Sequence, residues 1–289
     1  MALFSGGAGS GGQPGLFLIA GPCVLEDEAI EREIAETIVA VSTRYGVPAV
    51  FKASFDKANR SSAGSPRGPG LERGLEALAR IRGATGLPVL TDIHEPGQAE
   101  PAAAVADAIQ IPAFLSRQTD LLVAAARTGR PVNVKKGQWM APEHIAGAVG
   151  KLRAAGAGEI AVTERGTAFG YGRWVVDMRS FAVMREATGC PTVFDATHAV
   201  QLPGGAGTES GGEPEHIERL ALAAVAAGAD GLFVEVHPAP SASPSDAAST
   251  LALARLDGLV ARCLAVRAAV TSTSIRGERR AAEAGTGVA

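Results

Sequence analysis

Hydrophobic positions in this chain follow two alternating patterns. One is a short, nearly unbroken apolar run rich in β-branched residues: "LFLIAG", "PAVFKAS", "LPVLTDI", "AIQIPA", "PVNVKK", "EIAVTE", "PTVFDAT" and "GLFVEVH". The other is a longer stretch with apolar residues at helical spacing. Ile30, Ile34, Ile38, Val41 and Tyr45 fall on one helical face, as do Leu71, Leu75 and Leu78. Ala- and Leu-rich segments after Gln118, Pro142, Met178, Glu215 and Asp246 keep the same period. Eight strand-like runs separated by helical segments predict an α/β protein, a single (β/α)8 TIM barrel. A doubly wound open sheet is the alternative. The barrel accounts for the unbroken runs, because its strands are buried on both faces. No shift in composition marks a second domain. The expected division is a disordered Gly-rich N-terminus over 1–15, a barrel catalytic domain over 16–270 and a C-terminal tail over 271–289.

Composition narrows the class. A chain of 289 residues buries roughly three-quarters of its unfolded surface and needs no disulfide staples. A net charge of -3 argues against general affinity for nucleic acid or for an anionic membrane, so a basic cluster here is local. No apolar run approaches the ~18 residues that span a bilayer. The start of the chain has no basic, apolar signal pattern. Cys23, Cys190 and Cys263 are sparse and far apart, unlike a disulfide framework. A cytoplasmic location is the expectation.

A barrel places its chemistry at the C-terminal ends of its strands. Those ends read Cys23; Lys52 and Ser54; Asp92 and His94; Gln110; Asn133 and Lys135; Glu164 and Arg165; Asp195, Thr197 and His198; Glu235 and His237. Lys52, Lys57, Arg60 and Arg67 fall within sixteen residues, mixed with Ser61, Ser62 and Gly64. Arg117, Lys135, Lys136 and Arg165 add cations at three further strand ends. Such a gathering repels itself unless anions neutralise it, and an Arg fork matches phosphate oxygens. Small phosphorylated molecules are the expected partners.

A second cluster involves Cys23. A lone Cys beyond a strand is open to four readings: core packing, nucleophile, disulfide half or metal ligand. Asp246 has the competing reading of a helix N-cap. His144 and His216 read as ordinary helical surface residues. If the barrel closes, Cys23, His198, Glu235 and Asp246 can meet where strands one, seven and eight adjoin. That mixed donor set suits a borderline divalent metal: Zn²⁺, Fe²⁺, Mn²⁺ or Co²⁺.

The motifs "FKASFDKANRSS", "RGPGLE", "TDIHEP", "IQIPAFLSRQTDL", "NVKKGQ", "ERGTAFGYG", "VVDM", "FDATHAVQLPGG" and "EVHPAPSASPSDA" closely resemble those of the 3-deoxy-D-manno-octulosonate 8-phosphate synthases. The match runs from about Phe17 to about Ala269. "KANRSS" separates it from the related heptulosonate-phosphate synthases, which carry a "KPRTS"-like motif there. The resemblance implies a homotetrameric (β/α)8 transferase. It would condense phosphoenolpyruvate with D-arabinose 5-phosphate and water and release inorganic phosphate, in the supply line of lipopolysaccharide. By the same resemblance Lys57, Lys135 and Arg165 hold phosphoenolpyruvate, with Ser54, Arg117 and Gln138 assisting. Asn59, Arg60 and Ser61 grip arabinose 5-phosphate. Lys52, Lys57, Asp92, His94, His198 and Asp246 line the reacting centre. Cys23, within "AGPC", marks the metal-dependent class, with Cys23, His198, Glu235 and Asp246 as ligands; the metal-independent class has Asn at that position. A hydrolytic metalloenzyme would not need so many cations, and a phosphosugar-binding protein would not need the ligands.

Overall fold

The computed structural model describes residues 2–6, 15–60, 62, 64–169, 172–204 and 211–285. Each apolar run is a strand: β1 (Phe17–Gly21), β2 (Ala49–Lys52), β3 (Val89–Asp92), β4 (Ala108–Ile111), β5 (Val132–Lys135), β6 (Ile160–Glu164), β7 (Thr192–Asp195) and β8 (Gly231–His237). They pair in parallel, in chain order. Strand β8 then returns to β1, with Phe17 opposite Gly231 and Gly21 opposite Glu235. This pairing closes the sheet and decides for the (β/α)8 barrel over the open sheet.

The helices α1 (Glu28–Tyr45), α2 (Leu71–Thr85), α3 (Ala99–Val105), α4 (Thr119–Arg127), α5 (Ala146–Ala154), α6 (Ser180–Thr188), α7 (Ile217–Ala226) and α8 (Leu256–Gly285) form the outer layer. In α1 the Asp27 carboxylate caps the N–H groups of Ala29 and Ile30, and Gly46 ends the helix in the left-handed region. Between these stops Ile34, Ile38 and Val41 are buried, with Ile30 and Tyr45 packed at the edge of that stripe. After β8 the chain loops out and returns as Leu251–Ala252 beside Val236–His237. That short pairing holds the loop carrying Asp246 above the mouth.

Inside the barrel, Phe17, Ile19, Val50, Leu90, Ala108, Ala161, Val193 and Phe233 fill the lower layers. Gly231 is required here, because a Cβ would lie 2.4 Å from the Phe17 ring. Part of the Gly-rich start joins this plug. Phe4 is buried against Phe17, and the Leu3 and Phe4 N–H groups donate to the Glu159 carboxylate at 3.0 and 2.6 Å. Residues 7–14 of that segment lie outside the described residues. The segment set apart as a tail is continuous with α8 as far as Gly285.

Candidate active site

Strand alternation sends every second side chain into the barrel. In the upper layer these are polar and buried: Lys52, Asp92, Gln110, Asn133, Lys135, Thr163, Asp195 and Glu235. The cations of this layer are interleaved with acids. Lys52 Nζ lies 2.9 Å from Ser54 Oγ, 3.4 Å from Glu235 and 3.6 Å from Asp92. Lys135 Nζ contacts Asp195 Oδ2 at 2.5 Å and sits 3.7 Å above the Phe233 ring. The cations therefore do not simply repel one another until a ligand arrives. Burial opposes ionisation of Asp92, Asp195 and Glu235, yet the cations and His198 around them hold all three below the usual carboxylate range.

Three of the expected cations do not face the mouth. Lys136 follows the inward Lys135 and so points to the outer layer, where it is fully buried 3.5 Å from Glu164. There it donates to the carbonyls of Gly137 and Met140 and to Thr167 Oγ1. Arg67 is an exposed partner of Asp56. Arg117 is exposed beside a surface pocket of about 600 Å³ shared with Trp139 and Lys151, and among the described residues its side chain joins none of the contacts at the barrel mouth.

Three cations have no carboxylate oxygen closer than 4.0 Å among the described residues. Burial works against the Lys57 ammonium, but Cys23, Glu235, Asp92 and Asp246 more than offset it and raise its pKa, while the nearest carboxylate oxygen is 4.0 Å away. Among the described residues Arg60 makes only carbonyl contacts, to Pro66 and Pro244, both at 2.8 Å. These tie the loop after β2 to the loop after β8. Arg165 is buried, which lowers its pKa; its Nη2 donates to Gln201 Oε1 at 2.7 Å, and Nη1 has no partner among the described residues. Gln138, whose backbone carbonyl accepts from the Ala168 N–H at 2.8 Å, is buried with Oε1 also unpartnered among the described residues. Asn59 is exposed on the rim, and Ser61 lies outside the described residues. His94 Nε2 rests on Asp92 at 3.1 Å, leaving Nδ1 buried without a partner among the described residues.

Barrel closure brings Cys23, Glu235 and Asp246 together, with one donor atom of each within 4.8 Å of the others. Cys23 Sγ donates to Asp246 Oδ2 at 3.0 Å. Burial, then Asp246 and Glu235, push this thiol well above its ordinary pKa. His198 Nε2 faces the same space, 3.6 Å from Glu235 and 3.8 Å from Asp246. Its Nδ1 lies 2.8 Å from Asp195 Oδ2, the carboxylate backing that fixes a ligating histidine with Nε2 free. Asp246 is not a side-chain N-cap. Its backbone is held at φ 52°, and its carboxylate turns inward to Cys23 and to Gln201 Nε2 at 2.8 Å. Burial opposes its ionisation, but His198, Lys57 and the Cys23 contact bring its pKa down to about 2. Acidic oxygens and a thiol around one point, with an oriented imidazole at its edge beside the two carboxylates, fit a borderline divalent cation.

His237 shares the face of Glu235 but stays apart, with Nε2 3.0 Å from Glu26. Asp195 and Gln201 had no role assigned from sequence. Asp195 orients both Lys135 and His198, and its place at a strand end was the available signal. Gln201 links Arg165 to Asp246 from a two-residue strand that periodicity does not reveal.

A closed parallel barrel with this buried, charged mouth is that of a (β/α)8-barrel enzyme. A sequence model of the DAHP synthetase I family matches residues 6–267. A 2-dehydro-3-deoxyphosphooctonate aldolase of Desulfotalea psychrophila is 56% identical over 259 residues, 90% of this chain and 92% of that protein. Its counterpart in Syntrophotalea carbinolica is 56% identical over 260 residues, covering 90% and 94%. That of Nitratidesulfovibrio vulgaris (strain DP4) is 59% identical over 244 residues, covering 84% and 89%. The chain belongs to the DAHP synthetase I family and, within it, to the 2-dehydro-3-deoxyphosphooctonate aldolases.

Proposed function

We propose that this chain condenses phosphoenolpyruvate with D-arabinose 5-phosphate and water, giving 3-deoxy-D-manno-octulosonate 8-phosphate and inorganic phosphate. The observation that carries the reading is the unpartnered Nη1 of Arg165, with Lys57 no nearer than 4.0 Å to a carboxylate oxygen among the described residues, inside a mouth where Lys52 and Lys135 are closely paired. Phosphoenolpyruvate has an anionic group at each end and suits two such cations. Arg165, Lys57 and Lys135 hold it, with Ser54 and Gln138 beside them. Asn59, Arg60 and Ser61 take the sugar phosphate. Carbon 3 then attacks the sugar aldehyde with the enol electron pair. Carbon 2, left electron-poor, is captured by water, and its C–O bond breaks as phosphate leaves. His94, backed by Asp92, moves the proton of the reacting aldehyde oxygen through its free Nδ1. Orienting two anions and placing charge supplies most of the rate.

Cys23, His198, Glu235 and Asp246 would hold a divalent cation: Zn²⁺, Fe²⁺, Mn²⁺ or Co²⁺. Bound there, it would supply Lewis acidity at the mouth. We place the enzyme in the cytoplasm as a homotetramer. Three free, buried cysteines suit a reducing compartment. Among the described residues no helix is long and apolar enough to cross a membrane. Exposed Phe114 and Trp139, stacked with centroids 6.1 Å apart, offer an apolar face for a second copy. Phosphate release should need both substrates together. Release from either one alone would point to a hydrolase, and binding without release to a carrier.

A further inference from the structure

Arg165 owes its orientation to two neighbours that leave its charge intact. Gln201 takes Nη2 at the edge of the guanidinium. The other neighbour is Trp174, whose ring centroid lies 5.2 Å from the guanidinium carbon. The fold brings this ring back deliberately close. Beyond β6 the chain turns at Gly166, with φ 96°, into a tight antiparallel pairing of Thr167–Ala168 with Trp174–Val175. A Cβ on Gly166 would lie 2.7 Å from Trp174 Cβ, so the close approach and the positive φ both call for glycine. Arg173, next to the indole, pairs with Glu213 at 3.1 Å and ties this ribbon to the loop after β7.

The indole is not held by a bond of its own. Trp174 Nε1 is buried without an acceptor among the described residues. What fixes the pair is therefore the packed ribbon and the face-on contact. An aromatic face attracts and orients a guanidinium without neutralising it, where a carboxylate would consume the charge. Arg165 thus keeps Nη1 unpartnered among the described residues while its guanidinium lies over the Trp174 ring, whereas Lys135, also over a ring, is already paired with Asp195.

We propose that Trp174 is a positioning residue for phosphoenolpyruvate: its face holds Arg165 so that Nη1 stays free for the anionic substrate. This rests on the reading of Arg165 as a phosphoenolpyruvate ligand. The test compares Trp174→Leu, Trp174→Phe and Arg165→Ala with the wild type. It measures the KM for each substrate, kcat, the Tm and calorimetric binding of phosphoenolpyruvate alone. Trp174→Leu should weaken phosphoenolpyruvate about tenfold, leaving the arabinose 5-phosphate KM and the Tm close to wild type. Trp174→Phe keeps the face and loses the N–H, and should stay within about threefold of wild type. Wild-type phosphoenolpyruvate affinity in Trp174→Leu would overturn the proposal. So would equal loss in the Leu and Phe variants, or a rise of both KM values together with a falling Tm. Undiminished phosphoenolpyruvate binding in Arg165→Ala would instead remove the ligand reading on which the proposal stands.

Discussion

Arg60 occupies the carbonyls of Pro66 and Pro244 and, among the described residues, no carboxylate, so its charge is available to a sugar phosphate between two loops. Arg60→Ala should raise the KM for arabinose 5-phosphate about ten- to a hundredfold, the value of a charge-assisted contact of about 1.5–3 kcal/mol. The KM for phosphoenolpyruvate should change far less. Steady-state kinetics with each substrate varied in turn reads this directly, and an unchanged sugar KM removes the assignment. At Cys23 the thiol proton sits where a cation would bind, between sulfur and the Asp246 carboxylate. Cys23→Asn should lose metal sharply, read by elemental analysis, yet keep measurable metal-free turnover. Cys23→Ala has neither a ligand nor an amide and should lose both. If the wild type, exhaustively chelated and free of metal, turns over undiminished, Cys23 is a core-packing residue. The positions of these residues were legible because strand ends can be read from apolar runs. The direction of a side chain at such an end was not. Lys135 and Lys136 look alike in sequence, and only strand alternation puts one in the mouth and the other behind it against Glu164.

At the scale of elements, the eight strands and the α1 stripe were legible because burial on both faces or on one leaves a clear period. Shorter pieces left no period to read. The Trp174 ribbon and the Gln201–Leu202 pairing with Gly211–Gly212 are two residues long on each side. The N-terminal strap was hidden by its glycines, although Phe4 closes the barrel floor against Phe17. Phe4→Ala should destabilise the fold by about 3 kcal/mol, the lower end for a buried Phe. A thermal unfolding midpoint equal to that of the wild type would show that the strap does not plug the floor.

For the whole molecule, a net charge of -3 coexists with a mouth in which cations and acids are matched almost one for one. That balance keeps the resting site stable and leaves a few groups, Arg165 foremost, for the substrates. The exposed Phe114 and Trp139 belong to this scale too. Trp139→Asp should shift the assembly toward smaller species in light scattering, and an unchanged mass would place the contact elsewhere. The central claim is that two anions are joined at carbon 3 while water, attacking carbon 2, drives phosphate out by C–O cleavage. Phosphoenolpyruvate carrying heavy oxygen at the bridging position tests it most directly, with the products separated and weighed by mass spectrometry. The account predicts that the label leaves in inorganic phosphate, and only when arabinose 5-phosphate is present. Label retained in the sugar product would contradict it.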